Sequence, residues 1–265
     1  MCTTDRRHLV ARLAVMSPLF VEGSTPGLGA RRAPAARLGV GVVHDLVTAI
    51  VTGTVAPGEL LPTETELCEH FGVSRTVIRE SVKRLEEKGM VSVVQGRGTQ
   101  VTDPIEWNLL DRVVLSVMIE HDDELGILDE LAVVRGQLES VMAATAAGAR
   151  DADDLAHLHA AHEVLVASAG KLEAFARNDV EFHAIIMRIS KNTLAGGIAR
   201  TLVRRAGEYS RFYGAPGPDA HRLTLEEHAA VLDAIEAGDD QRAADAMLEH
   251  ISAAWTRRRL PRDRA

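Results

Sequence analysis

The sequence predicts a mainly α-helical protein in two parts: an N-terminal head of three helices closed by a small β-hairpin, and a longer all-helical bundle. Three observations predict it. Aromatic residues make up only 3% of the 265 residues while Ala and Leu are abundant, a composition that favours helix. Apolar positions recur at helical spacing through most of the chain beyond residue 38. A short β-branched run, a glycine-flanked turn and a second short run occur together at 91–102.

The length accommodates one or two domains. No apolar run reaches the ~18 residues a membrane span needs. Cys2 and Cys68 are too few for a disulfide framework or a cysteine-rich zinc site, so a reducing cytoplasm is the expected compartment. The net charge of −8 is unevenly spread. Residues 1–37 carry 6 basic and 2 acidic residues, 38–102 carry 6 and 8, and 103–265 carry 18 and 28. The acid therefore sits mainly in the C-terminal part. A locally basic surface near the front can still meet phosphate, because steering follows the local field.

Residues 1–37, with Arg6, Arg7, Arg12 and Pro18 and then a Gly/Pro/Ala/Arg-rich stretch, read as a disordered basic extension; Arg12 and Pro18 interrupt what would otherwise look like a signal peptide. The head follows at 38–102. Val42, Leu46, Ile50 and Val51 share one helix face that ends at Gly53. Thr63 with Glu66 three residues on is a capping box opening a helix over 64–71. Ser74 is a good N-cap for a helix over 75–88, whose Val77, Ile78, Val82 and Leu85 point inward and which Gly89 stops. Strands at 91–94 and 99–102 flank the turn Gln95-Gly96-Arg97-Gly98.

Helix, helix, turn, helix, hairpin is the order of a winged helix-turn-helix, whose recognition helix enters the major groove by its N-terminal residues. Those residues are Ser74, Arg75, Thr76 and Arg79, and the segment 74–88 holds five Lys/Arg against three Glu. Arginine suits guanine edges or phosphate. Arg97 sits at the hairpin tip between glycines, where backbone can approach phosphate closely. Any one of these arginines is as well explained by a solvated helix face; the ordered set of elements is what points to double-stranded DNA.

The runs Pro57-Gly58-Glu59-Leu60-Leu61-Pro62-Thr63-Glu64, Phe71-Gly72-Val73-Ser74-Arg75-Thr76-Val77-Ile78-Arg79-Glu80, Leu85-Glu86-Glu87-Lys88-Gly89 and Gln95-Gly96-Arg97-Gly98-Thr99 resemble the GntR family of bacterial transcription regulators. The resemblance covers 40–102 and implies that Arg75, Arg79, Gln95 and Gly96 occupy DNA-contacting positions. Thr65 departs from it: the family usually has an arginine there, and this implies an altered operator preference.

From 103 onward the pattern is helical throughout, with helices expected near 105–120, 126–149, 151–169, 171–190, 193–213, 221–238 and 240–259, an all-α bundle. Residues 103–124 read as a linker helix and 125–260 as the effector domain. Polar residues interrupt the apolar stripes. Asp179 and His183, four apart on one face, lie among Leu172, Phe175, Phe182 and Ile186; His228 lies among Leu225, Leu232 and Ile235; His250 lies with Ala243, Met247 and Ile251. A buried unpaired carboxylate is costly, and three histidines with one carboxylate would resolve that cost by holding a divalent metal. A single histidine on an apolar stripe is more often a satisfied core residue. On spacing alone the cluster His157, His159 and His162 competes for the same role.

Here too a resemblance bears on the choice. Val134-Arg135 with Leu138-Glu139, Asn178-Asp179-Val180-Glu181-Phe182-His183, Ser190-Lys191-Asn192, Glu227-His228 and His250-Ile251 resemble the FCD effector domain, which accompanies the winged helix in the FadR subfamily of GntR regulators. The resemblance implies Asp179, His183, His228 and His250 as metal ligands, zinc above nickel or manganese. Arg135 shares a stripe with Leu128, Leu131, Leu138 and Met142, so its guanidinium points inward and requires an anion. Either it pairs with Glu139 or Asp179, or it clamps the carboxylate of a small organic acid. By the same resemblance Asn192 helps line the effector site; otherwise it is a helix-terminal turn residue. Glu106-Trp107-Asn108-Leu109-Leu110-Asp111 resembles regulators of sugar-acid use. The combined expectation is a cytoplasmic homodimeric repressor released by a small acid. A metal-dependent enzyme fused to a DNA-binding head is the alternative, although no HExxH pattern is present; an architectural DNA protein without effector is a third reading.

Overall fold

The computed structural model describes residues 35–209, 212 and 219–259; most of the basic extension and the Gly214–Pro218 break lie outside them. The head comprises α1 (Ala35–Val51), α2 (Glu64–Phe71), α3 (Arg75–Glu87), β1 (Val91–Val94) and β2 (Gly98–Val101). A 3-10 turn at Pro104–Glu106 leads to α4 (Arg112–Glu120). The bundle comprises α5 (Gly126–Ala149), α6 (Ala152–Ala167), α7 (Leu172–Ile189), α8 (Thr193–Ala206), α9 (Ala220–Ala237) and α10 (Asp240–Arg258).

The local signals act as expected in the head. Thr63 and Glu66 form the capping box, each satisfying the other's backbone N–H. Ser74 caps α3, its hydroxyl accepting from Val77 N. β1 and β2 pair antiparallel, Val91 opposite Val101 and Val94 opposite Gly98. The segment before α2 adds to the other edge of β2: Gly58 N donates to Val101 O, Leu61 N to Thr99 O, and Val101 N to Glu59 O. Ile78, Leu85, Val47, Ile50, Met90 and Val101 fill the core beneath.

Gly89 ends the recognition helix in left-handed backbone, φ 72°, where a Cβ would stand 2.2 Å from Glu106 O. Only glycine lets the 3-10 turn close over that point. The helix expected over 105–120 is therefore two elements. Asp103 accepts from Ile105 N and starts the short turn, while Asp111 accepts from Val113 N and Val114 N and starts α4 afresh. Likewise, the helix expected to reach 213 ends at Ala206 in a turn at Gly207, although Phe212 is again helical.

α4 has two apolar faces. Val114 and Val117 pack into the core of the head, whereas Leu115 and Ile119 pack with Leu128, Leu131, Leu202, Ala206, Phe212 and Trp255 of the bundle. The main bundle core unites α5, α6, α7, α9 and α10 through Ala143, Leu158, Phe182, Ile186, Val231, Ile235, Met247 and Ile251. Phe182 is fully buried there, a position where truncation to alanine costs ~3–5 kcal/mol. α10 lies so close along α5 that a Cβ at Gly136 would meet Leu248 at 2.9 Å.

Candidate functional site

Two surfaces carry the polar residues singled out in the sequence. The first is the leading turn of α3 with the hairpin tip. Ser74, Arg75, Thr76 and Arg79 are all exposed, as are Gln95, Gly96 and Arg97. α3 turns Ile78 and Leu85 into the core, so Arg75 and Arg79, one turn apart, stand outward together. Arg79 is oriented by Glu64, whose two carboxylate oxygens each accept from its Nε at 3.0 Å. An exposed pair of this kind contributes little stability; it presets the direction of the side chain. Arg97 N donates to Val94 O across the tip, with Gly96 at φ 76°.

The second lies inside the bundle. Asp179 and His183 project from α7, His228 from α9 and His250 from α10, and all four are buried. One ligand atom from each lies within 4.8 Å of the others. The three Nε2 atoms are mutually close: His183 to His228 at 3.2 Å, His183 to His250 at 3.2 Å, and His228 to His250 at 3.0 Å. Asp179 Oδ1 is 3.5 Å from His228 Nε2 and has no hydrogen-bond partner among the described residues.

Carboxylates stand behind two of the rings. His250 Nδ1 lies 3.0 Å from Glu227 Oε2. His183 Nδ1 lies 2.5 Å from Glu139 Oε2, off the line of a good hydrogen bond. Arginines hold both carboxylates in turn: Arg135 Nε donates to Glu139 at 2.6 Å, and Arg257 donates to both oxygens of Glu227 at 2.6 and 2.7 Å. Two parallel chains, Arg135–Glu139–His183 and Arg257–Glu227–His250, thus back two of the rings, and the three Nε2 atoms face one another. Burial works against the Glu139 carboxylate, but Arg135 and His183 outweigh it and hold its pKa down to about 2. Burial, then the neighbouring rings, push His228 well below its usual range; burial also lowers His250 despite Glu227.

Inward lone pairs 3.0–3.2 Å apart repel unless something positive lies between them. A neutral ring that donates its Nδ1–H to a carboxylate has only a lone pair at Nε2. His228, whose Nδ1 has no hydrogen-bond partner, can donate to one neighbour at most. Atoms placed ~2.0–2.1 Å from a common small cation are roughly 3.0–3.4 Å from one another, which is the spacing seen. Imidazole nitrogens turned towards one point, an unpartnered carboxylate oxygen and carboxylates behind the far ring nitrogens suit a divalent ion. The competing trio is not gathered in this way: His159 pairs with Glu236 at 3.3 Å, and His162 faces Phe182.

A cavity of about 850 Å³ adjoins the cluster. Arg135 and Asp179 form the wall between the two, and Thr224, His221, Arg257 and Arg258 also line the cavity. Arg135 Nε is paired with Glu139, and its side chain also borders the cavity. Asn192 is a helix-terminal residue: its Oδ1 accepts from Ala195 N to cap α8, and it is not among the described lining residues. The placement of Glu139 and Glu227 behind the rings is not legible from helical spacing. Helical spacing offers Glu139 only as a partner for Arg135, and Glu227 only as a neighbour of His228 in the chain. The available signal was Arg257, seven residues and two turns after His250.

The profile of the bacterial regulatory proteins of the gntR family matches residues 38–101, and that of the FCD domain matches 130–253. The galactonate operon transcriptional repressor of Escherichia coli (strain K12) is 33% identical over 219 residues, covering 82% of this chain and 94% of that protein. The transcriptional repressor NanR of Enterobacter sp. (strain 638) is 29% identical over 253 residues, covering 89% and 94%. Among solved structures, Lar of Listeria monocytogenes superposes with a TM-score of 0.50 at 17% identity, covering 86% of this chain and 98% of that one, a likeness of fold alone.

Proposed function

The chain belongs to the gntR family of bacterial regulatory proteins, with an FCD domain behind its DNA-binding head, and from that premise we propose a homodimeric repressor whose grip on a pseudo-palindromic operator is set by an organic acid bound in the bundle. The family consists of transcription regulators rather than enzymes, so the enzyme alternative is set aside. The observation that carries the reading is the shared wall: Arg135 and Asp179 border the cavity and the histidine cluster at once.

Asp179, His183, His228 and His250 would hold the divalent ion, which we read as zinc, with nickel or manganese as the other fits to this donor set. Bound there, the ion supplies a Lewis-acid site for carboxylate oxygen. Arg135, anchored through Nε, gives the acid a directional cationic partner. The name of one relative, the galactonate operon repressor, makes sugar acids the first compounds to try. Ser74, Arg75, Thr76 and Arg79 would read the major groove, and Gln95, Gly96 and Arg97 the flanking backbone. No described helix is long and apolar enough to cross a membrane; a protein acting on the chromosome works in the cytoplasm.

An acid shifts operator affinity only by its differential affinity for the DNA-competent state, and a coupling of ~1–3 kcal/mol corresponds to roughly 5–150-fold. The test is fluorescence anisotropy with DNA from upstream of the protein's own gene. Arg75→Ala should weaken binding by roughly 5–150-fold, the value of ~1–3 kcal/mol expected for a good arginine–base contact, without changing metal content. Arg135→Ala should leave DNA binding intact and abolish release by acids. Release that persists in Arg135→Ala would overturn the reading.

A further inference from the structure

The cavity wall away from the histidine cluster is polar as well as apolar: Glu173, Arg177, His221 and Arg258 line it beside Leu172 and Phe175. By helical rise Phe175 stands ~6 Å from Asp179 along α7, and His221 stands ~10 Å from His228 along α9. A ligand whose acid group sits at the wall of Arg135 and Asp179 therefore meets His221 only with the far end of its chain.

His221 is held there by contacts from two directions. Gly170 N, in the turn between α6 and α7, donates to its Nδ1 at 3.1 Å. The ring stacks on Phe175, with centroids 4.0 Å apart and planes 9° from parallel. The first contact fixes the tautomer: a neutral imidazole that accepts at Nδ1 carries its proton on Nε2. The second fixes the plane of the ring. Nε2–H is thus a donor set in place before any ligand arrives, on a residue of the cavity wall. Such a donor favours a ligand that brings an oxygen to it, and it does nothing for one too short to reach it.

Resting on the reading of the cavity as an effector site, we infer that His221 is a specificity-determining residue of that site, donating through Nε2–H to a hydroxyl at the far end of a sugar acid whose carboxylate lies at Arg135. The acid end is selected by charge. The length of the chain and its distal hydroxyl are selected by the imidazole, which sorts long polyhydroxy acids from short hydroxy acids bearing the same head group.

The test is isothermal titration of the full chain, loaded with zinc, by glycolate and by galactonate. The wild type should bind galactonate the more tightly. Two variants remove the donor in different ways. His221→Asn keeps an amide oxygen that can accept from Gly170 N, and His221→Phe keeps a ring that can stack on Phe175. Both should bind galactonate about fivefold more weakly, the value of one net hydrogen bond. Both should bind glycolate as the wild type does and retain the same zinc content. Unchanged galactonate affinity in both variants would overturn the inference. So would a loss confined to one variant, which would trace it to the Gly170 contact or to the stack, and so would an equal loss of glycolate. Each of these leaves the effector site standing. Failure of both acids to bind the wild type would overturn both readings.

Discussion

Glu227 shows how much a residue outside the ligand set can decide. It makes no direct contribution to the four inward ligand atoms, yet it receives the His250 Nδ1 proton and is itself held by Arg257. Removing such an outer partner typically lowers metal affinity ~10–100-fold. Glu227→Ala should therefore weaken zinc binding by about that factor in a chelator competition, with helix content unchanged by circular dichroism; equal affinities would show that the contact orients nothing. The same titration has a defined pH dependence. His228 and His250 are pushed below the ordinary value of 6.5 in the folded chain, by burial first. The unfolded chain therefore binds more protons below that value. Their contribution is complete above pH 6.5 and is lost as pH falls towards the lowered values. Zinc retention and thermal stability should decline together below about pH 6.5.

At the scale of elements, α4 joins the reading head to the effector bundle. Val114 and Val117 belong to one core and Leu115 and Ile119 to the other, so a shift of α4 cannot relax in one half without disturbing its neighbour. Asp111 fixes its start twice over, capping the helix and pairing with Lys88 Nζ at 2.6 Å where both are largely buried. Burial opposes the charged carboxyl, but Lys88 and the two backbone N–H groups prevail and hold its pKa below the usual value. Asp111→Ala should lower stability by ~1–3 kcal/mol, a cap together with a half-buried pair. It should also reduce the operator response to acid without changing acid affinity. A variant with wild-type melting and wild-type response would exclude α4 as the coupling element. The sequence concealed this element because its apolar spacing runs on through 105–120. The interruption is made by Asp103, Asp111 and the close approach at Gly89, the last of which joins residues distant along the chain.

For the molecule as a whole, the proposed dimer needs a surface. α5 leaves Val134 and Val141 exposed on one stripe with the half-buried Leu138, and α8 beside it leaves Leu194 74% exposed. Apolar residues grouped on adjacent helices are a candidate contact for a second copy, whose two heads would then meet two half-sites. The double variant Val141→Asp, Leu194→Asp should sediment as a monomer and bind operator more weakly, with its histidine cluster still retaining zinc. A persistent dimer would place the interface elsewhere.

Taken alone, the sequence determined what local periodicity and capping can encode: the helices of the head, the hairpin with its exposed Gln95-Gly96-Arg97 tip, the outward arginines of α3 and the helical character of the remainder. It also placed Asp179, His183, His228 and His250 on inward stripes, but spacing alone leaves the trio of His157, His159 and His162 as a rival. Tertiary structure alone decided that three imidazoles from three helices meet at 3.0–3.2 Å. It decided likewise that Glu139 and Glu227 stand behind two of them and that Asn192 is spent on a helix cap. A stripe gives the direction of a side chain about its own axis; which stripes converge depends on how helices cross, and that is set by packing between residues far apart in the chain.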